Sequence, residues 1–150
     1  MQILPNYDID TLNLIIGFAR SGKSTLALDI IRRFLFFRNM SKDLNVCLPQ
    51  FAKIFRYNTA FDEDYDLQNN FKYIRAEPIL IDEGYLVADR RFSMTDKQIR
   101  LTHTINTNAR NNNSTFMLIQ NSTDLDMRFI AKANTIFLIT ARNLAYVYVK

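Results

Sequence analysis

Gly17-Phe18-Ala19-Arg20-Ser21-Gly22-Lys23-Ser24 follows the spacing G-x-x-x-x-G-K-[ST], and its reading decides the fold. Upstream, Leu12 to Ile16 (Leu-Asn-Leu-Ile-Ile) is a short apolar run suited to a buried strand. Downstream, Thr25 to Phe37 places Ala27, Ile30, Ile31 and Phe34 at i, i+3, i+4 and i+7, the period of a helix with one apolar face. Strand, glycine loop and helix in that order make an anion cradle. The glycines let the backbone curl so that successive N–H groups converge, beside the positive end of the helix dipole. The candidate phosphate-binding set is therefore Gly17, Phe18, Ala19, Arg20, Ser21, Gly22, Lys23, Ser24 and Thr25. Lys23 has the reach to meet β- and γ-phosphates, and the Ser24 hydroxyl can ligate Mg²⁺.

The other apolar runs are Asn45 to Leu48, Ile79 to Ile81, Thr115 to Ile119 and Thr135 to Ile139, with Ala145 to Val149 as a strand closing the C-terminus. Helical patterns lie between them. Met94 to Asn106 has Thr95 and Gln98 at capping-box spacing, and Asp124 to Ala133 has Leu125, Phe129 and Ala133 on one face with Thr123 or Asp124 as cap. Non-alternating strands separated by helices imply an α/β three-layer sandwich, its mostly parallel sheet covered on both faces. The region from Phe51 to Phe71 is expected to hold a short helix and an irregular loop.

Composition bounds the rest. The 150 residues suit one domain spanning 1–150, and a hydrophobic fraction of 48% is ample for a covered sheet. No segment is apolar and long enough to span a membrane. The start, Met-Gln-Ile-Leu-Pro-Asn, lacks the basic and apolar regions of a signal peptide, which leads us to expect a cytoplasmic protein. Cys47 and His103 each stand alone, which excludes a disulfide framework and a cysteine-based metal site. A net charge of +4 permits an acidic partner such as nucleic acid without demanding one. Asp62, Glu63, Asp64 and Asp66 read as a solvated acidic loop, whereas Arg90, Arg91, Arg100 and Arg110 bias the middle of the chain toward positive charge.

Pro78-Ile79-Leu80-Ile81-Asp82-Glu83-Gly84 ends a buried strand in two carboxylates, at the strand end where ligands of open α/β sheets bind. With a phosphate loop in the same chain, Asp82 is the candidate to hold Mg²⁺ through its water shell. Glu83 is the candidate to polarise an attacking water. Gln120 follows Thr115 to Ile119. If that strand lies between the other two, Gln120 sits beside the γ-phosphate and can hydrogen-bond water or phosphate; otherwise it merely begins a loop.

Gly17 to Ser24, Asp82-Glu83 and Gln120, in that order, resemble the additional-strand-glutamate class of P-loop ATPases. The finer pattern resembles the FtsK/HerA branch, which includes DNA translocases, conjugation coupling proteins and viral genome-packaging ATPases. It is carried by Asp82-Glu83-Gly84-Tyr85 with Asp89-Arg90-Arg91, by Asn108-Ala109-Arg110, and by Thr123-Asp124-Leu125-Asp126-Met127-Arg128. Family members often have a basic residue directly after the arginine matching Arg110, where this chain has Asn111. The resemblance implies a RecA-like sheet with the Gln strand between the two Walker strands. It also implies ATP and Mg²⁺ as cofactors, and a homo-oligomeric ring, commonly a hexamer, that pulls double-stranded DNA alongside a capsid or transfer-machinery protein. The asparagine-rich stretch from Asn106 to Asn113 and the small size would suit a virus or mobile element. In such rings a neighbouring subunit supplies an arginine to the site, for which Arg110 and then Arg128 are the candidates. Two other readings remain open: a nucleotide or nucleoside kinase with Arg90 and Arg91 in a lid, and a regulatory or partitioning ATPase acting on a protein partner.

Overall fold

The computed structural model describes residues 12–38, 44–48, 53–56, 59–61, 77–82, 84, 113–121, 127–141 and 144–150. In chain order these form β1 (Leu12–Gly17), α1 (Lys23–Arg38), β2 (Asn45–Leu48), β3 (Lys53–Arg56), β4 (Thr59–Phe61), β5 (Pro78–Ile81), β6 (Ser114–Ile119), α2 (Met127–Lys132), β7 (Thr135–Ala141) and β8 (Leu144–Val149). All strands join one eight-stranded sheet in the order β4-β3-β2-β5-β6-β1-β7-β8. The run β2-β5-β6-β1-β7 is parallel. The outer strands β3, β4 and β8 are antiparallel to their neighbours.

The central strands are apolar on both faces because both faces are covered. Along β1, Leu12, Leu14 and Ile16 point to one side and meet Ile79, Ile81, Met117 and Ile119, with Phe129 of α2 and Ala133 packed over them. Ile15 points to the other side, where Leu80, Phe116, Leu118, Phe137 and Ile139 meet Ala27, Ile30 and Ile31 of α1. The expected sandwich of helix, sheet and helix is what these two cores build. Among the described residues, no helix is long and apolar enough to cross a membrane.

Polar side chains fix the starts of the parallel strands, at the end of the sheet away from the glycine loop. Asn45 Nδ2 donates to Glu77 Oε2 at 2.6 Å and to the Pro78 carbonyl at 3.4 Å. The Glu77 N–H donates to Asn113 Oδ1 at 3.2 Å, the Ser114 N–H donates to the Glu77 carbonyl at 3.2 Å, and Asn13 Nδ2 donates to the Thr115 carbonyl at 3.3 Å. These groups are buried, so each bond also spares a desolvated amide or carboxylate. The network links β1, β2, β5 and β6 and sets their register, which fixes where their other ends finish.

Two differences from the sequence reading stand out. Residues 53–56 and 59–61 form the antiparallel pair β3–β4, not a short helix and loop. Lys53-Ile54-Phe55-Arg56 places two strand-favouring residues, Ile54 and Phe55, between charged ones, and pairing with β2 extends the sheet. The first helix begins at Lys23, two residues before the expected start at Thr25, because the loop itself delivers the first turn. The helix expected over 94–106, the caps Thr123 and Asp124, and the acidic stretch 62–66 lie outside the described residues.

Candidate functional site

β1, β5 and β6 are parallel, so their C-terminal ends open on the same edge of the sheet. β6 lies between the other two. Ile16 pairs with Ile119, so the next residues, Gly17 at the end of β1 and Gln120 just past β6, stand at one level. Ile81 pairs with Met117, so Asp82 leaves β5 level with Leu118. The topology thus brings the glycine loop, Asp82 and the exposed Gln120 to one edge of the sheet, as the intervening-strand condition requires.

The loop needs two unusual backbone conformations. Arg20 has φ of 59° and Gly22 has φ of 90°. At Gly22 a glycine meets the requirement at no steric cost, and a Cβ there would meet nothing within 4 Å, leaving the approach open. At Gly17 the constraint is space: a Cβ would lie 2.7 Å from Ser21 Oγ and 3.0 Å from the Ile139 Cβ. The Ser21 N–H donates to the Phe18 carbonyl at 3.2 Å, which closes the turn. Helical bonding starts when the Leu26 N–H donates to the Gly22 carbonyl at 2.9 Å. The N–H groups of Lys23, Ser24 and Thr25 therefore have no carbonyl behind them in the helix, and no acidic residue occupies the first turn to compete for them. An anion is what such a terminus accepts.

Lys23 Nζ donates to the carbonyls of Gly17 at 2.9 Å and Phe18 at 2.6 Å. Desolvation by burial lowers its pKa from 10.5, while the charge of Asp82 acts in the opposite direction. The carboxylate therefore acts on the ammonium through space. Gly84, two residues beyond Asp82, donates its N–H to the Leu118 carbonyl at 2.7 Å and fastens the carboxylate turn to the end of β6.

A metal here would find an oxygen-only donor set, the Ser24 hydroxyl and the Asp82 carboxylate. Among the described residues no group of three or more His, Cys, Asp or Glu could hold an ion by itself. Oxygen donors of this kind would suit Mg²⁺, which keeps water and substrate phosphates as ligands and takes few from protein. Arg128 stands in the first turn of α2, partly buried. Glu83 and Arg110 lie outside the described residues. Sequence reasoning placed Ser21 in the phosphate loop and Gly84 in the motif after the carboxylates, but not how either packs. Their contacts, over Gly17 and against Met117, arise only when the strands are assembled.

A central β strand between the phosphate-loop strand and the carboxylate strand, with helices on both faces, gives the chain a P-loop NTPase fold. No protein-family model matches the chain, nor does any curated protein sequence. Solved structures do. The chain is similar to the genome packaging NTPase B204 from Sulfolobus turreted icosahedral virus 2 in complex with ATP-gammaS, at 16% identity and a TM-score of 0.61, over 88% of this chain and 76% of that one. It is similar to the N-terminal domain of zonular occludens toxin from Neisseria meningitidis at 16% identity and a TM-score of 0.62, over 93% of each chain. C. elegans PCH-2 matches at 16% identity and a TM-score of 0.64, over 93% of this chain and 37% of that one. At such identities the shared feature is the fold.

Proposed function

We propose that residues 1–150 form one ATP-hydrolysing domain that powers movement of double-stranded DNA, in genome packaging or DNA transfer by a virus or mobile element, in the host cytoplasm. The observation that carries the hydrolase reading is the position of β6 between β1 and β5, with Gln120 level with Gly17. A residue at that point stands between the end of the phosphate-loop strand and the end of the carboxylate strand. The DNA part draws support from the finer sequence resemblance to the FtsK/HerA branch and from the likeness to a viral genome packaging NTPase.

In this reading the loop amides and Lys23 bind the phosphates of ATP, and Ser24 and Asp82 hold Mg²⁺. That ion supplies positive charge to the phosphate oxygens when bound. Glu83 accepts a proton from a water molecule as its oxygen bonds to the γ-phosphorus. The bond from that phosphorus to the β–γ bridging oxygen breaks, and ADP and phosphate leave. Gln120 orients the water by hydrogen bonding. Arg110, or Arg128 after it, completes the site of a neighbouring subunit in a homo-oligomeric ring, where it offsets charge on the γ-phosphate. A net charge of +4 suits a partner contacted through its phosphates and not through its bases.

The test is ATP turnover with and without long duplex DNA, with a nucleoside acceptor as a third arm, alongside the mass of the complex in solution. Stimulation by duplex DNA in a ring-sized assembly supports the motor. Phosphate appearing on the acceptor means a kinase. Turnover indifferent to both, in a monomer, overturns the motor reading.

A further inference from the structure

We propose that Arg20 is a second cation of the phosphate loop, which contacts the phosphate chain of the bound nucleotide and favours triphosphate over monophosphate. This rests on the nucleotide reading of the loop given above. Arg20 holds φ of 59°, in the left-handed region where a Cβ is crowded by the following carbonyl. The chain has only three glycines, Gly17, Gly22 and Gly84, and the loop's other positive φ falls on one of them. Glycine or asparagine would relax position 20, yet an arginine stands there. A non-glycine residue held in this region within a ligand loop points to a side chain with work at that place.

The electrostatics of the loop say what that work is. Its two cations are Arg20 and Lys23, and residues 17–25 contain no carboxylate. Lys23 is engaged by the Gly17 and Phe18 carbonyls and partly desolvated. Arg20 is exposed, and among the described residues it makes no ion pair, the pair seen on α1 being Arg33 with Asp29 at 3.0 Å. A guanidinium offers forked donors that match two phosphate oxygens, which an ammonium does not. The loop thus carries Lys23, bonded to its own backbone until a phosphate draws it away, and Arg20, exposed and available to the same incoming polyanion. Charge on the ligand then decides how much Arg20 contributes.

The experiment is calorimetric titration of ATP, ADP and AMP into the parent protein and into Lys23→Ala, Arg20→Asn and Arg20→Lys, with Tm measured without ligand. Asparagine tolerates the left-handed region, so Arg20→Asn should keep or raise Tm. The same variant should weaken ATP binding roughly 10- to 100-fold, the range for losing a charged hydrogen bond. AMP affinity should change little, and Arg20→Lys should recover part of the loss. Unchanged ATP affinity in Arg20→Asn, with Lys23→Ala still defective, overturns the Arg20 proposal alone. A parent protein that binds none of the three nucleotides overturns the nucleotide reading and this proposal together. Retained ATP affinity with weakened duplex DNA binding would place Arg20 on DNA, and would also overturn it.

Discussion

The Gly84 N–H donates to the Leu118 carbonyl at 2.7 Å, joining the turn after β5 to the last residues of β6. The bond lies between the carboxylate of Asp82 and the amide of Gln120, so the spacing of these two groups depends on it. The close approach is possible only because residue 84 lacks a side chain: a Cβ there would run into the Met117 side chain and come within 3.1 Å of the Leu118 carbonyl oxygen.

We therefore expect Gly84→Ala to destabilise the protein by about 1–3 kcal/mol, the ordinary cost of overpacking a buried site. ATP turnover should fall further than the loss of folded protein explains, because the carboxylate turn must move away from β6. Urea unfolding beside turnover per folded molecule checks both. An alanine variant of parental stability and turnover would show that the turn has room.

How much of this was legible in the sequence follows from where the information lies. β1, β5 and β6 are buried on both faces, so each is a largely apolar run that needs no partner to be recognised. β3 and β4 are short and lie at one end of the sheet, β3 carrying Lys53 and Arg56, and only the pairing of β3 with β2 and of β4 with β3 makes them strands. The phosphate loop is local, so its motif could be read directly. The polar network at the opposite sheet end joins Asn45 to Glu77 and Glu77 to Asn113, residues 32 and 36 apart, and no periodicity announces such pairs. Likewise Arg20 reads as one of four unspecified loop positions, and its left-handed backbone belongs to the folded turn.

Lys23→Ala should abolish nucleotide binding or reduce turnover about 100-fold or more, as expected for loss of a charged contact made with phosphates. The fold should persist, because Lys23 donates only to carbonyls of its own loop. Circular dichroism and nucleotide titration decide this, and parental turnover would remove the loop assignment.

The same lysine gives a pH dependence of definite sign. Burial holds its pKa below 10.5, against the pull of Asp82. Phosphate binding needs the ammonium, so affinity should be full at neutral pH and fall as the pH rises through the lowered pKa, before 10.5 is reached. Folding stability moves the other way. In that alkaline window the unfolded chain keeps the proton that the folded chain releases, so the contribution of Lys23 to stability rises with pH. Affinity and Tm measured across the window, with Lys23→Ala lacking both trends, provide the check. Parallel trends in parent and variant would assign the dependence to other groups.

The two carboxylates should separate. Glu83→Gln removes a proton acceptor and leaves the oxygen donors of Ser24 and Asp82, so Mg-ATP affinity should persist while turnover falls by roughly 100- to 10,000-fold. Asp82→Asn should weaken Mg²⁺-dependent binding as well, and should also remove the charge that acts on Lys23. Titration with a slowly hydrolysed ATP analogue, with and without Mg²⁺, distinguishes them. Equal binding losses would contradict the division of roles.

Arg110 and Arg128 differ in what their surroundings permit. Arg128 is partly buried in the first turn of α2, whose neighbour Phe129 packs into the core, so its backbone is fixed by its own subunit. Arg110 precedes β6 by a few residues of polar sequence and is the first candidate to act across a subunit boundary. Arg110→Ala alone should then lose turnover by about 1,000-fold, the low end of the range for an arginine finger. Mixed with Glu83→Gln subunits it should regain activity, because some boundaries again pair an intact Arg110 with an intact Glu83. Turnover plotted against mixing ratio should pass through a maximum between two inactive ends. A flat line at zero would place both residues in one subunit's site, and near-parental turnover of Arg110→Ala by itself would pass the role to Arg128.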